Sequence, residues 1–477
     1  MREVEVGAVP IDRLASLLDP GRAARLADNA ARARDLLDGR AVWNVNATAT
    51  GGGVAEMLQA LLDYAHGVGV DTRWLVLDGT SEFFGLTKRI HNMLHGEPGD
   101  GGPLGEHERR VYEDVLRSNA EDLADRVHPG DIVILHDPQT AGLVSALQDH
   151  GAHVVWRCHV GRDTPNERTD RAWDFLRPYV VEASAAIFSR TVYRPGFVDP
   201  ARSWVIAPSL DPFSAKNAYL TDDDVAAALQ RARLVDLPTP DGDLGFHRRD
   251  GSTGAVRRHQ GLLVTGGIVP RDARVVLQVS RWDRLKDMAG VMRGFVGSLD
   301  RLDDDVHLML VGPDVSGVTD DPEGAEVLAE CRRAWDDLDP AARARVHLCS
   351  LPMDDVDENA HLVNALQRHA AVVVQKSLVE GFGLTVTEPM WKGRPVVASR
   401  VGGIQDQVVH GECGLLLDDP TDLDGFGDLL VSVTGDSGLA ERLGAAATER
   451  VRERFLGDRH LIQYAELFRR LLTGQAD

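Results

Sequence analysis

Short, β-branched apolar runs recur along nearly the whole chain, and most are followed by a turn and a stretch of helical periodicity. In the first half they fall at 42–45, 74–77, 132–135, 154–157, 186–189 and 204–207, separated by helical patterns such as 54–64, 141–148 and 171–181. A second series follows at 275–279, 307–311, 346–348, 371–374, 396–398 and 415–417. Runs this short, closed by polar residues, read as buried strands. Strands alternating with helices give a parallel sheet covered on both faces, with ligands at the carboxyl ends of the strands. The series occurs twice, and 477 residues exceed what one core usually holds; two domains of about 200 residues each are expected. The chain therefore reads as α/β, with two doubly wound, Rossmann-like units. Residues 1–40 read as a helical lead-in. The pattern weakens over 221–270, where LPTPDGDLGFHRRDGSTG reads as a surface loop or insertion. A hinge is expected near Pro212, which gives domains of 1–212 and 213–455, with a helix over 456–477.

The formal net charge is −22, from 74 acidic and 52 basic residues. That balance argues against nucleic-acid backbones and anionic membrane surfaces as partners, and makes any basic cluster a local device. The four cysteines, Cys158, Cys331, Cys349 and Cys413, are scattered, with no Cys-x-x-Cys pair. Neither a disulfide framework nor a zinc site is suggested, and a reducing cytoplasm fits. The N-terminal MREVEVGAVPIDR lacks an apolar core, and no apolar run approaches the ~18 residues of a membrane span. A soluble, cytoplasmic protein is expected.

The stretch 375–406, QKSLVEGFGLTVTEPMWKGRPVVASRVGGIQD, concentrates the chemistry. A strand delivers a glycine-bearing loop to a helix start near Leu384, and free N–H groups at such a start make an anion site. Glu380 and Glu388, eight positions apart, can accept hydrogen bonds from sugar or ribose hydroxyls. The stretch asks for a ligand with phosphate and polyol parts. In VSRWDRLKD, after the first strand of the second series, Arg281 and Lys286 lie five apart and suit a phosphate, unless they form a solvated basic loop. Pro389 leaves the Leu384 helix either short or kinked. In the first half, the glycine triplet of NATATGGG, which includes Gly52 and Gly53, is either a flexible turn or a close backbone approach to a ligand. His136, Asp137 and His159 sit at strand ends. No metal-binding constellation and no Walker A sequence appear.

Glu380 and Glu388 with GFGLT between them, followed by KGRPVVAS and VGGI, resemble the signature of the retaining glycosyltransferases of the GT-B fold, the group containing sucrose and glycogen synthases. The resemblance implies two Rossmann-like domains facing across a cleft, with the last helix crossing back to the first. It implies that Arg281 and Lys286 hold the diphosphate of a nucleotide-sugar donor. Glu380 would bind the donor sugar's hydroxyls, Glu388 the ribose, and His159 the sugar near its reacting end. Gly52, Gly53, Phe382, Gly383, Leu384 and Thr385 would line the donor site. Glu380, His159, Arg281 and Lys286 form the implied catalytic set, acting by front-face substitution; a nucleophilic Glu380 is the alternative.

NATATGGGVAE, FFGLTKRIHNMLHG, LHDPQTAGL and WRCHVGRDTPNERTDRAWDFLRPYV narrow the resemblance to the trehalose glycosyltransferring synthases. These join NDP-glucose to free glucose as α,α-trehalose, in a reaction open to reversal. The implied partners are those small molecules, with no cofactor and no metal. Lys88 and Asn92 share a helix face that suits a sugar acceptor or is simply solvated. Asp137, Gln139 and Arg157 are comparable acceptor candidates. Trp and Leu residues on helix faces leave room for a homodimer. Trehalose phosphorylase, an NDP-sugar 2-epimerase and a non-catalytic sugar-nucleotide sensor are the alternatives.

Overall fold

The structure, a computed structural model, describes residues 1–49, 53–238, 245–248, 251–259, 261–315 and 322–474. The chain divides into two compact units, Met1–Leu210 with Phe455–Asp477, and Asp211–Arg454.

The first unit is built on strands β1 (Arg2–Val4), β2 (Ala41–Asn46), β3 (Asp71–Val76), β4 (Ile132–His136), β5 (His153–Cys158), β6 (Ala185–Phe188) and β7 (Ser203–Val205). They form one sheet in the order β1-β3-β2-β4-β5-β6-β7, parallel except for β1. Every residue of β2 and β4 is buried, Asn44, Asn46 and His136 included, as a sheet covered on both faces requires. Trp43, Leu135 and Trp156 pack on one face with Phe83 and Tyr112. Val42, Ile134 and Val155 pack on the other with Leu467 and Phe468 of the C-terminal helix Gly457–Thr473. That helix also packs on Pro20–Leu36, where Arg22 pairs with Asp458 at 2.7 Å.

The second unit carries a small hairpin, β8 (Gly245–His247) with β9 (Thr253–Ala255), and β10 (Leu263–Thr265), β11 (Arg274–Val279), β12 (Val306–Pro313), β13 (Val346–Leu351), β14 (Val372–Gln375), β15 (Val396–Ser399) and β16 (Leu415–Leu417). The main sheet runs β10-β13-β12-β11-β14-β15-β16, parallel except for β10. In each unit the strand order reverses once, between β2 and β4 and between β11 and β14. Such a switch point opens a crevice at the carboxyl ends of the two strands. Among the described residues no helix is long and apolar enough to cross a membrane.

Two expectations need correction. The lead-in is not helical throughout: β1 precedes the helix Pro20–Leu36, which starts where Asp19 accepts the Arg22 N–H. The stretch LPTPDGDLGFHRRDGSTG is not only surface loop: its described residues hold most of the hairpin of Gly245–His247 with Thr253–Ala255. Phe246, Val256 and Leu262 are buried in the second unit's core, so its hairpin and β10 contribute to that core.

Candidate active site

In the second unit, β11 ends at Val279 and β14 at Gln375, the two strands of the switch point. Lys286 and Glu380 leave these ends and meet, with Lys286 Nζ 2.6 Å from Glu380 Oε2. The Ser377 hydroxyl donates to the same carboxylate oxygen at 3.2 Å. Lys286 is held from behind: Gln278 Nε2 donates to its carbonyl at 2.8 Å. The next residue, Asp287, is left-handed (φ 47°) and caps the helix Met288–Val296 by accepting the Gly290 N–H at 3.1 Å. A non-glycine residue in that region costs about 1–3 kcal/mol, and such strain gathers at functional sites. Buried Lys376 donates to Asp287 Oδ2 and to the Pro420 carbonyl. Arg281 lies in the same loop, well exposed, 3.2 Å from Asp283.

Phe382 and Gly383 lead into the helix Leu384–Trp391. Gly383 is left-handed (φ 87°), and a Cβ there would stand 3.1 Å from both Glu380 and Ile404. A Cβ on Gly403 would come within 2.7 Å of the Phe382 backbone, so the two loops touch only because a glycine stands there. Gln407 donates to the Phe382 carbonyl at 2.5 Å and locks the loop. The helix is short, with Pro389 inside it, and its first-turn N–H groups at Leu384 and Thr385 carry the positive end of the helix dipole. Glu388 lies on the same helix, buried, accepting from Gln367 Nε2 at 3.2 Å with Lys216 Nζ at 3.7 Å. Lys392, one turn on, donates to Asn217 at 3.0 Å and to Gln367 at 2.5 Å, and burial pulls its amine well down.

In the first unit, His136 ends β4 and Asp137 follows it, and His159 follows β5. His136 Nδ1 lies 3.1 Å from His159 Nε2, and His136 Nε2 lies 3.1 Å from Asn44 Oδ1. Burial, with the Arg157 charge nearby, holds both imidazoles well below their ordinary range, so both are neutral at pH 7. Asp137 is left-handed (φ 62°), and its carboxylate accepts the His159 N–H at 2.7 Å. Burial raises the Asp137 carboxyl to about 7, against the opposing His159 N–H and Arg157. Gln139, in the short helix Asp137–Thr140, is partly buried. Lys88 and Asn92 lie on the helix Ser81–Leu94, Lys88 exposed and Asn92 partly buried. Gly53 opens the helix Gly53–Gly67, while Gly52 lies outside the described residues.

The structure gives Arg157 a different partner from the sugar acceptor expected for it. It is 1% exposed and donates to His460 Nε2 at 2.8 Å, to the Tyr464 hydroxyl, and to the Ile206 carbonyl at 3.2 Å. Strand alternation puts it on the Val155 face, under the C-terminal helix, so it anchors that helix instead of lining a ligand. Sequence reasoning placed His136 at a strand end without a role, and missed Asn44 behind it and Lys376 and Gln278 behind Lys286. The signal available was their polarity within strand-end segments otherwise buried, where an unpaired polar group is costly.

Residues 44–195 match the family described as "Trehalose synthase, N-terminal domain", and 268–450 match "Glycosyl transferases group 1". The trehalose synthase of Pyrococcus horikoshii is 31% identical over 436 residues, 91% of each chain. That of Rubrobacter xylanophilus is 34% identical over 438 residues, 91% of this chain and 92% of its own. An α,α-trehalose 6-phosphate synthase structure from Burkholderia multivorans superposes with a TM-score of 0.66 at 16% identity, covering 92% of this chain and all of that one. The fold is GT-B, and the chain is a glycosyltransferase. It belongs to the trehalose synthase family.

Proposed function

We propose that the protein transfers glucose from a nucleoside-diphosphate glucose to free glucose with retention, forming α,α-trehalose, and that the reaction runs in both directions. The observation that carries this reading is the pairing of Lys286 with Glu380 at the switch point of the second unit, 2.6 Å apart. In a sugar nucleotide the diphosphate and the sugar hydroxyls are also adjacent, joined at the anomeric carbon. Lys286 and Arg281 take the diphosphate and Glu380 the sugar hydroxyls. Buried Glu388, on the same helix, takes the ribose. Phe382, Gly383, Leu384 and Thr385 border the donor.

Departure of the nucleoside diphosphate places negative charge on a phosphate oxygen. Fixed donors at Lys286 and the Leu384 helix start stabilise that charge by several kcal/mol, on the order of 3 each, and exposed Arg281 adds less. The acceptor hydroxyl attacks the anomeric carbon on the face the phosphate leaves, so configuration is kept. Its proton passes to the departing phosphate oxygen, and no protein base is required. His159 contacts the donor sugar near its reacting carbon, while Asp137, Gln139, Lys88 and Asn92 hold the acceptor. The reaction uses its substrates alone, without a cofactor, and we place it in the cytoplasm. Incubation with each of ADP-, GDP- and UDP-glucose plus glucose, followed by proton NMR, tests this. One donor is expected to give α,α-trehalose; an inverted linkage, or no disaccharide from any of the three, would contradict it.

A further inference from the structure

The strongest motif left without a ligand role is the sequence Gln375-Lys376-Ser377 at the end of β14. All three side chains are buried, at 1%, 1% and 0% exposure. Three consecutive buried polar groups, one of them charged, are costly unless each is used. Here each is used, and each use ends at a different part of the candidate site. The Gln375 amide bonds the Ser280 hydroxyl, one residue before Arg281, and donates to the Ser377 hydroxyl at 2.9 Å. Lys376 binds Asp287, one residue after Lys286. Ser377 donates to the carboxylate of Glu380.

We propose that Gln375, Lys376 and Ser377 form a positioning brace that sets Arg281, Lys286 and Glu380 relative to one another, with Lys376 its principal member. Lys376 matters most because of what it holds. Asp287 occupies a strained left-handed conformation, and the backbone turn there sends the Lys286 side chain to Glu380. The amine of Lys376 reaches Asp287 from β14 and is itself fixed by the Pro420 carbonyl at 2.6 Å. Gln278, from β11, grips the Lys286 carbonyl on the other side. Groups from the ends of the two switch-point strands thus converge on the Lys286–Asp287 turn. A buried ion pair is weak grounds for stability, since an apolar pair of similar volume often serves as well. The brace is therefore a device of geometry, and its loss is read in ligand discrimination.

This inference rests on Lys286 holding the diphosphate, and the test separates the two. Affinities are measured by calorimetry for ADP and AMP, GDP and GMP, and UDP and UMP, and the tightest-binding pair is used. Lys376→Met is expected to lower the diphosphate-to-monophosphate affinity ratio about tenfold, the lower end of what one charge-assisted contact contributes. Because that variant leaves Asp287 with only Arg293, at 4.0 Å, as a charge partner, the double variant Lys376→Met with Asp287→Asn is measured beside it. It folds without a buried charge and keeps the lowered ratio. A wild-type ratio in either variant, whatever the melting temperature, would overturn the brace. Lys286→Ala supplies the control. If it leaves the ratio unchanged, the diphosphate reading falls and takes the brace with it. If it lowers the ratio while Lys376→Met does not, the brace alone falls.

Discussion

The two switch points have the same topology and opposite chemistry. Around its switch point the first unit gathers Asn44 of β2, His136 and Asp137 at the end of β4, and His159 just after β5, with both imidazoles held neutral by burial and the carboxyl raised to about 7. At the end of β11 and β14 the second gathers charges in pairs, Lys286 with Glu380 and Lys376 with Asp287. Each site leans on one left-handed aspartate, Asp137 in the first and Asp287 in the second. The difference teaches how a repeated fold divides labour. Neutral, desolvated donors and acceptors suit sugar hydroxyls, which carry no charge. Paired ions suit a diphosphate, whose charge takes over one member of a pair when it binds.

Four predictions break or sharpen that contrast. Glu380→Gln removes the charge at the centre of the second site. Steady-state kinetics should show a loss of about a thousandfold in turnover, while calorimetry shows nucleoside diphosphate affinity little changed, because the carboxylate's partner is the sugar. Collapse of the nucleotide affinity would assign Glu380 to the wrong part of the ligand. His159→Ala acts on the neutral site and should slow turnover about a hundredfold through lost positioning of the sugar, also without moving nucleotide affinity. A change confined to nucleotide binding would erase the contrast. Lys286→Ala should weaken nucleoside diphosphate binding about ten- to a hundredfold, the value of a charge-assisted contact, and monophosphate binding much less. Equal losses would remove its diphosphate role.

The smallest effect is on stability. The Asp137 carboxyl sits higher in the folded chain, at about 7, than the ordinary value near 4 it has when unfolded. The folded state then binds the extra proton between those values, so this group's stabilisation is complete below about pH 4 and is lost as pH rises through about 7. Asp137→Asn keeps the oxygen that accepts the His159 N–H and removes the titration. Its melting temperature, relative to the parent, should rise progressively from pH 4 to 7. A constant difference across that range would show that the carboxyl is not raised.

Most of the fold was legible because parallel strands buried on both faces are continuous apolar runs, as in Ile132–His136 or Val396–Ser399. The strands that escaped are three-residue antiparallel additions. Arg2–Val4 carries two charges, and Leu263–Thr265 follows a segment dense in glycine and proline. Too short to show a period, they form by pairing with Asp71–Val76 and Val346–Leu351. The site was legible where its parts are local: Glu380, Gly383, Leu384 and Glu388 lie in one loop and helix. It was not legible where partners come from distant sequence. Lys376 meets Asp287 across 89 positions, and Arg157 meets His460 across 303. Arg157 stands at a strand end like a ligand contact, and only the C-terminal helix, which covers its face, tells the two roles apart.

The charged switch point is proposed to bind a nucleoside diphosphate during glucosyl transfer. The direct measurement is glucose release from trehalose by the purified protein, with ADP, GDP or UDP in one series and inorganic phosphate in another. Release that requires one nucleoside diphosphate, with the matching NDP-glucose formed, is the predicted result. Release with phosphate alone would contradict the account and make the protein a phosphorylase.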